Sequence, residues 1–228
     1  MPPIWLTVVS LVSIGLAFVC AGAILYDVFG RGYRQHMRVM EAVWPITALY
    51  FGPLALWAYR RWGRPMSHKW MEEHGDPPKK SQGATTAVGT SHCGAGCTLG
   101  DIIGSPLVVF VLGWQIAGMY LYAEYVVDYA LAFVLGIAFQ YYAIKPMRGL
   151  SPREGFSAAL KADFLSLTSF QVGLYAWMAV MQLVLFPGGI HPDRAAFWFL
   201  MQIGMILGFA TSYPVNWWLI RGGIKEAM

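Results

Sequence analysis

His92, Cys93 and Cys97 fall within six residues, as His92-Cys93-Gly94-Ala95-Gly96-Cys97. Two thiolates and an imidazole match the donor preferences of Cu(I) and Zn(II). The three small residues between the cysteines let a backbone turn bring both sulfurs to one ion. Three ligands suffice for Cu(I), whereas structural zinc calls for a fourth, with His68, His74 and Asp101 the local candidates. One Cys-x3-Cys pair is a weaker signature than two Cys-x2-Cys pairs, and the competing reading is a small-residue turn whose cysteines only pack. Thiol redox chemistry is the other use such a pair allows. Cys20 stands alone in an apolar stretch and reads as core.

Thioethers form a second set of soft donors. Met178 and Met181 are three residues apart and Met201 and Met205 four apart, so each pair shares a helix face. The Met201-x3-Met205 spacing resembles the paired methionines of Ctr-type copper transporters, and Gly204-x3-Gly208 beside it reads as a close-packing motif. Core filling is the plainer use of methionine. Asp101 and Asp163 are read at the cytoplasmic starts of two helices, where a carboxylate suits the helix dipole. Their functional reading is an ion-entry or proton-handling pair near the cysteine motif. Ser166, Thr168, Ser169, Gln171, Gln182, Gln202 and Asn216 either line a polar path or hydrogen-bond between helices. Glu124 and Asp128 are assigned to a short outside turn, and Arg31, Arg34, His36 and Arg38 to an outside loop.

Helices in a bilayer must position these groups. Of 228 residues, 57% are apolar and 12% charged, whereas a soluble domain carries about 25% charged residues. The net charge of +4 is not gathered into a dense Lys/Arg surface, so the lipid bilayer, and not nucleic acid, is the expected partner. Six segments are long and apolar enough to cross about 30 Å of hydrocarbon. They are Ile4–Leu25, Met40–Tyr59, Pro106–Tyr122, Val126–Ile144, Phe164–Phe186 and Ala195–Ile220. The expected fold is all-α, a polytopic membrane bundle of about six transmembrane helices arranged as three hairpins.

Residues 1–60 are the first hairpin, and 61–104 a cytoplasmic loop that carries the Cys/His motif behind a flexible linker at Gly75-Asp76-Pro77-Pro78. Residues 105–228 are a four-helix region with an interfacial helix near 151–162. With the N-terminus inside, twelve Lys and Arg fall inside and four outside (Arg31, Arg34, Arg38 and Arg194). Both termini and the cysteine motif are therefore expected in the cytoplasm of a bacterial inner membrane, where a Cys93–Cys97 disulfide is not expected.

Ser105-Pro106 suits an N-cap and first-turn proline, and Ser151-x-x-Glu154 a capping box. Pro214 is expected to break or kink the last helix, with Asn216 near enough to satisfy a freed carbonyl. Gly100-Asp101 aligns with Ala162-Asp163 as a sparse internal repeat. No histidine falls in a predicted span, which argues against a haem held by paired histidines. Walker, zincin and Gly-x-Ser-x-Gly motifs are absent.

Three stretches carry a family resemblance: His92 to Asp101, Asp163 to Thr168, and Tyr213-Pro214-Val215-Asn216-Trp217-Trp218-Leu219. On these the chain resembles a bacterial membrane family catalogued only as a domain of unknown function, over the third to sixth predicted helices. The resemblance implies the company of copper oxidases and supplies no activity. The leading expectation is a protein that binds or transports a soft metal ion, Cu(I) or, less readily, zinc, at the cytoplasmic face. His92, Cys93, Cys97 and the four methionines would be its ligands, and copper-handling proteins its partners. The alternatives are a non-catalytic scaffold bound to other membrane subunits or further copies of itself, and a thiol-redox enzyme.

Overall fold

Uncharged and mostly apolar residues make up Ile4–Leu25, which forms α1 and runs on through a wider π turn at Tyr26–Gly30. A computed structural model of the chain describes residues 2–149 and 151–225. The side chains of residues 144–148 lie outside that description, and with them those of Lys145 and Arg148. Among the described residues all extended regular elements are helical, with isolated bridges only at Gln35–Ser67 and Ile116–Met119. The all-α bundle expected from the sequence is what forms. Five helices are long and apolar enough to cross a membrane: Ile4–Gly30, Gln82–Leu112, Tyr120–Ala143, Pro152–Leu185 and Ala195–Arg221.

The sixth expected span, Met40–Tyr59, is not one continuous helix. It is two short helices, α2 (Met40–Phe51) and α3 (Pro53–Ala58), folded against each other. Gly52, at φ +52°, makes the turn, and Pro53 cannot donate the hydrogen bond that would continue α2. The Leu49 carbonyl left without that donor accepts from Gln202 Nε2 at 2.7 Å. Trp44 packs edge-on against Tyr59, and a Cβ on Gly63 would meet the Trp44 indole at 2.5 Å. The chain returns to the end of α1, where Arg64 pairs with Asp27 at 3.4 Å and Tyr59 donates to Asp27 at 2.9 Å. His68 N–H donates to the Arg34 carbonyl, and Lys69 Nζ to the Arg31 carbonyl. Residues 31–39 and 64–74 thus share one end of the molecule. Backbone at membrane depth is tolerated in this form where it is buried in protein.

A re-entrant hairpin in place of a crossing changes which ends face each other. Pro2 lies with Phe186, Ile190 and Arg194 in the turn before the last helix. Ser13 donates to Gln202, so α1 runs parallel to α8 (Ala195–Arg221). Pro2 and Lys225 therefore occupy opposite ends of the bundle.

The expected loop 61–104 is corrected as well. Short α4 spans His68–His74, and after Ser81, whose Oγ caps Ala84 N–H, residues Gln82–Pro106 form α5. Ser105-Pro106 falls inside that helix and does not begin one. The Ser151–Glu154 capping box forms as expected but opens α7 (Pro152–Ala179), which continues without a separate interfacial segment. The last helix passes through Pro214 unbroken, and Asn216 donates to the Ser212 carbonyl.

Small residues set the helix spacing. Gly96, Gly100 and Gly104 recur every four residues on α5 and face Gly136, Ala132 and Asp128 of antiparallel α6 (Tyr120–Arg148). On α8, Gly204 and Gly208 meet Leu174 and Phe170 of α7, the close packing that Gly204-x3-Gly208 signals.

Candidate functional site within the bundle

Burial along α5 places the expected ligands inside the molecule and not on a cytoplasmic tether. Cys93 and Cys97 are free thiols, 1% and 0% exposed, and stand one helical turn apart on one face of α5. They stand near the middle of the Gln82–Leu112 span. One core cluster contains both of them together with Met178, Met181, Met201 and Met205. The Tyr50 hydroxyl of the re-entrant hairpin reaches the same wall, 3.2 Å from where a Gly94 Cβ would stand.

His92 points elsewhere. Its ring lies by Phe139 with centroids 6.4 Å apart, and among the described residues neither nitrogen finds a hydrogen-bond partner. Its place in a membrane-length helix corrects the expectation of no histidine at mid-membrane. The other four histidines lie outside the five spans, so a paired-histidine haem gains no support. Among the described residues no three His, Cys, Asp or Glu side chains converge where a metal ion could sit. Of the proposed fourth zinc ligands, His68 faces His36 and His74 stacks on Trp70, both outside α5, whereas Asp101 stands one helical turn beyond Cys97. Met201 and Met205 line a cavity of about 270 Å³ with Gln202, Leu49 and Ile102.

Ionisable residues in the spans were assigned too shallow a position by the sequence. Asp101 is about 28 Å along α5 at 1.5 Å per residue, and accepts from Gln171 Nε2 of α7 at 3.4 Å while its Oδ2 has no partner among the described residues. Glu124 and Asp128, expected in an outside turn, are buried on α6. Ser105 donates to Asp128 Oδ2 at 3.1 Å, and both Asp128 and Glu124 lie within electrostatic reach of Asp101. Two crossed hydrogen bonds, Tyr125 Oη to the Tyr175 carbonyl and Tyr175 Oη to the Tyr125 carbonyl, clamp α6 to α7 beside this group.

Asp163 belongs to a second group toward the other end. It lies against Gly136 and 3.7 Å from Lys225 Nζ, while Ser166, Ser212 and Asn216 hydrogen-bond together next to it. Asp101 and Asp163 therefore flank the thiols at different depths and do not form a surface entry pair. Sequence reasoning missed Lys225, Gln140, Glu124 and Asp128 as interior groups. The α5 glycine repeat facing Asp128, Ala132 and Gly136 was the signal available for the α6 residues.

The family described as "Domain of unknown function (DUF4396)" matches residues 83–225, from the start of α5 through Lys225. No curated protein and no solved structure matches the chain.

Proposed function

We propose, on the premise that the chain belongs to this family of unknown function, that it is a multi-pass inner-membrane protein that binds or carries Cu(I) inside the α5–α8 bundle. The observation that carries this reading is the soft-donor core, in which Cys93 and Cys97, one helical turn apart, share one packed cluster with four methionines. Thiolate and thioether ligands favour Cu(I) over hard cations. The pair supplies two sulfurs from one helix face, leaving further positions to thioethers from α7 and α8. His92 is not needed as a ligand in this arrangement.

Metal content of protein purified anaerobically under reducing conditions tests it. The wild type is expected to retain copper added as Cu(I), and the Cys93→Ser/Cys97→Ser double variant to retain less than about a tenth as much, as loss of both thiolates removes the strongest donors. Equal retention would remove the basis for the proposal. A non-catalytic accessory subunit is the second reading, favoured by the absence, among the described residues, of any convergent three-donor site. A stoichiometric partner recovered in mild detergent without metal would support it.

Orientation belongs to the same proposal. With five crossings, every Lys and Arg of the sixteen except Arg194 falls in the segments at the Lys225 end. By the positive-inside rule that end faces the cytoplasm. Arg38→Cys and Asp193→Cys separate this from three hairpins, which would put both residues outside. Impermeant thiol reagents applied to intact cells stripped of outer membrane should label position 193 and leave 38 unlabelled. Labelling of both would restore the sixth crossing.

A further inference from the structure

We propose that the oxygen cradle formed by Asp163, Ser166 and Asn216 is a binding site for a small monovalent cation, and that the Lys225 ammonium occupies it as a tethered substitute. The site is separate from the sulfur core and does not depend on the copper reading.

The turn after α8 delivers the lysine. Gly223, at φ +68°, reverses the chain, and the Ile224 and Lys225 amides both donate to the Leu219 carbonyl. The Lys225 side chain then enters the bundle and is 0% exposed. Its Nζ meets Asn216 Oδ1 at 2.8 Å, Ser166 Oγ at 3.3 Å and Asp163 Oδ1 at 3.7 Å.

Internal hydrogen bonds hold most of this cradle without the lysine. Ser166 Oγ donates to Asn216 Oδ1 at 3.0 Å, Asn216 Nδ2 to Ser212 Oγ at 2.9 Å, and Ser212 Oγ to the Ser166 carbonyl at 2.9 Å. The ligating atoms are oxygens with one formal negative charge among them. Hard oxygen donors suit hard cations, and a single carboxylate balances a single positive charge.

The ammonium does not use everything the site offers. Among the described residues Asp163 Oδ2 has no hydrogen-bond partner, nor has either amide atom of Gln140, which lies one helical turn past Gly136, the residue that Asp163 touches. Buried polar groups in folded proteins are almost always satisfied. A free ion with its remaining water could use these atoms, where a lysine fixed at one end cannot. The cradle also lies near the basic end of the bundle, so an ion arriving from that side must displace Lys225.

Purified wild type, Lys225→Met and Lys225→Met/Asp163→Asn, compared by thermal unfolding in sodium, potassium and choline chloride at equal ionic strength, test this. Lys225→Met should show a midpoint that rises saturably with sodium or potassium and not with choline. The wild type, with its site filled, and the double variant, with its carboxylate neutralised, should show no such difference. A Lys225→Met protein monodisperse only in sodium or potassium would support the site equally. An identical Lys225→Met midpoint in all three salts overturns the proposal, as does an equal response of the double variant. Aggregation of Lys225→Met in every salt while the double variant stays monodisperse overturns it too.

Discussion

Replacing Gly100 with leucine should abolish the folded bundle or cost about 3 kcal/mol or more, at the top of the range for overpacked cores. A Cβ at this position would stand 2.5 Å from Ala132 N and 2.8 Å from Ala132 Cα. Both are backbone atoms of α6 and cannot rotate aside, so relief requires α5 and α6 to separate. That separation would also move Gly96 from Gly136 and Gly104 from Asp128, because the three contacts lie on one stripe. Gly15→Ala is the matched control. Nothing lies within 4 Å of its Cβ, so alanine should be neutral or stabilising by up to about 1 kcal/mol from helix propensity. Thermal unfolding and size-exclusion profiles in one mild detergent measure both, and a Gly100→Leu protein as stable as the wild type would contradict the packing.

Asp163→Ala should destabilise by about 3–5 kcal/mol, the cost of leaving a buried charge without its partner. Lys225 is enclosed, and its other contacts, Asn216 and Ser166, are neutral oxygens. Removing both charges is a different perturbation. Asp163→Ala/Lys225→Met should recover most of the loss, since an ion pair replaced as a unit by apolar groups is often neutral. The double-mutant cycle reads this as a coupling energy. Additive losses would mean that the two side chains act independently.

These expectations mark where sequence reasoning stopped. Residues 82–104 read as a loop because Gly, Ser, Thr and Cys dominate them, and in water such composition suits a linker. Beside other membrane helices the same small residues are what permit close approach, so Gly96-x3-Gly100-x3-Gly104 marks an interface. The reading of Met40–Tyr59 as a span rested on length and apolarity. Its Gly52-Pro53 pair was the local sign of a reversal, but Gly-Pro within an apolar run also fits a kinked crossing. Only the return of residues 64–69 to residues 31–36 decides between the two. The charge distribution follows from that choice: a sixth crossing puts Arg31, Arg34 and Arg38 at the end opposite Lys225, whereas a reversal at Gly52 puts them at the same end.

By itself, the sequence determined a helical membrane protein, the capping box at Ser151, the close packing around Gly204 and Gly208, and the list of soft donors. Each depends on composition or on spacing within one helix, which a linear chain records directly. Tertiary structure decided that the thiols lie in the interior, in the same core cluster as the methionines, that His92 packs on Phe139, that the second hydrophobic segment turns back, and that Lys225 reaches Asp163. The physical reason is that burial of a polar side chain and the sidedness of a short helix depend on what packs against them from elsewhere in the chain. For Lys225 the decisive partners are Asp163 and Ser166, about sixty residues away, and no local pattern of charge or periodicity encodes such a contact.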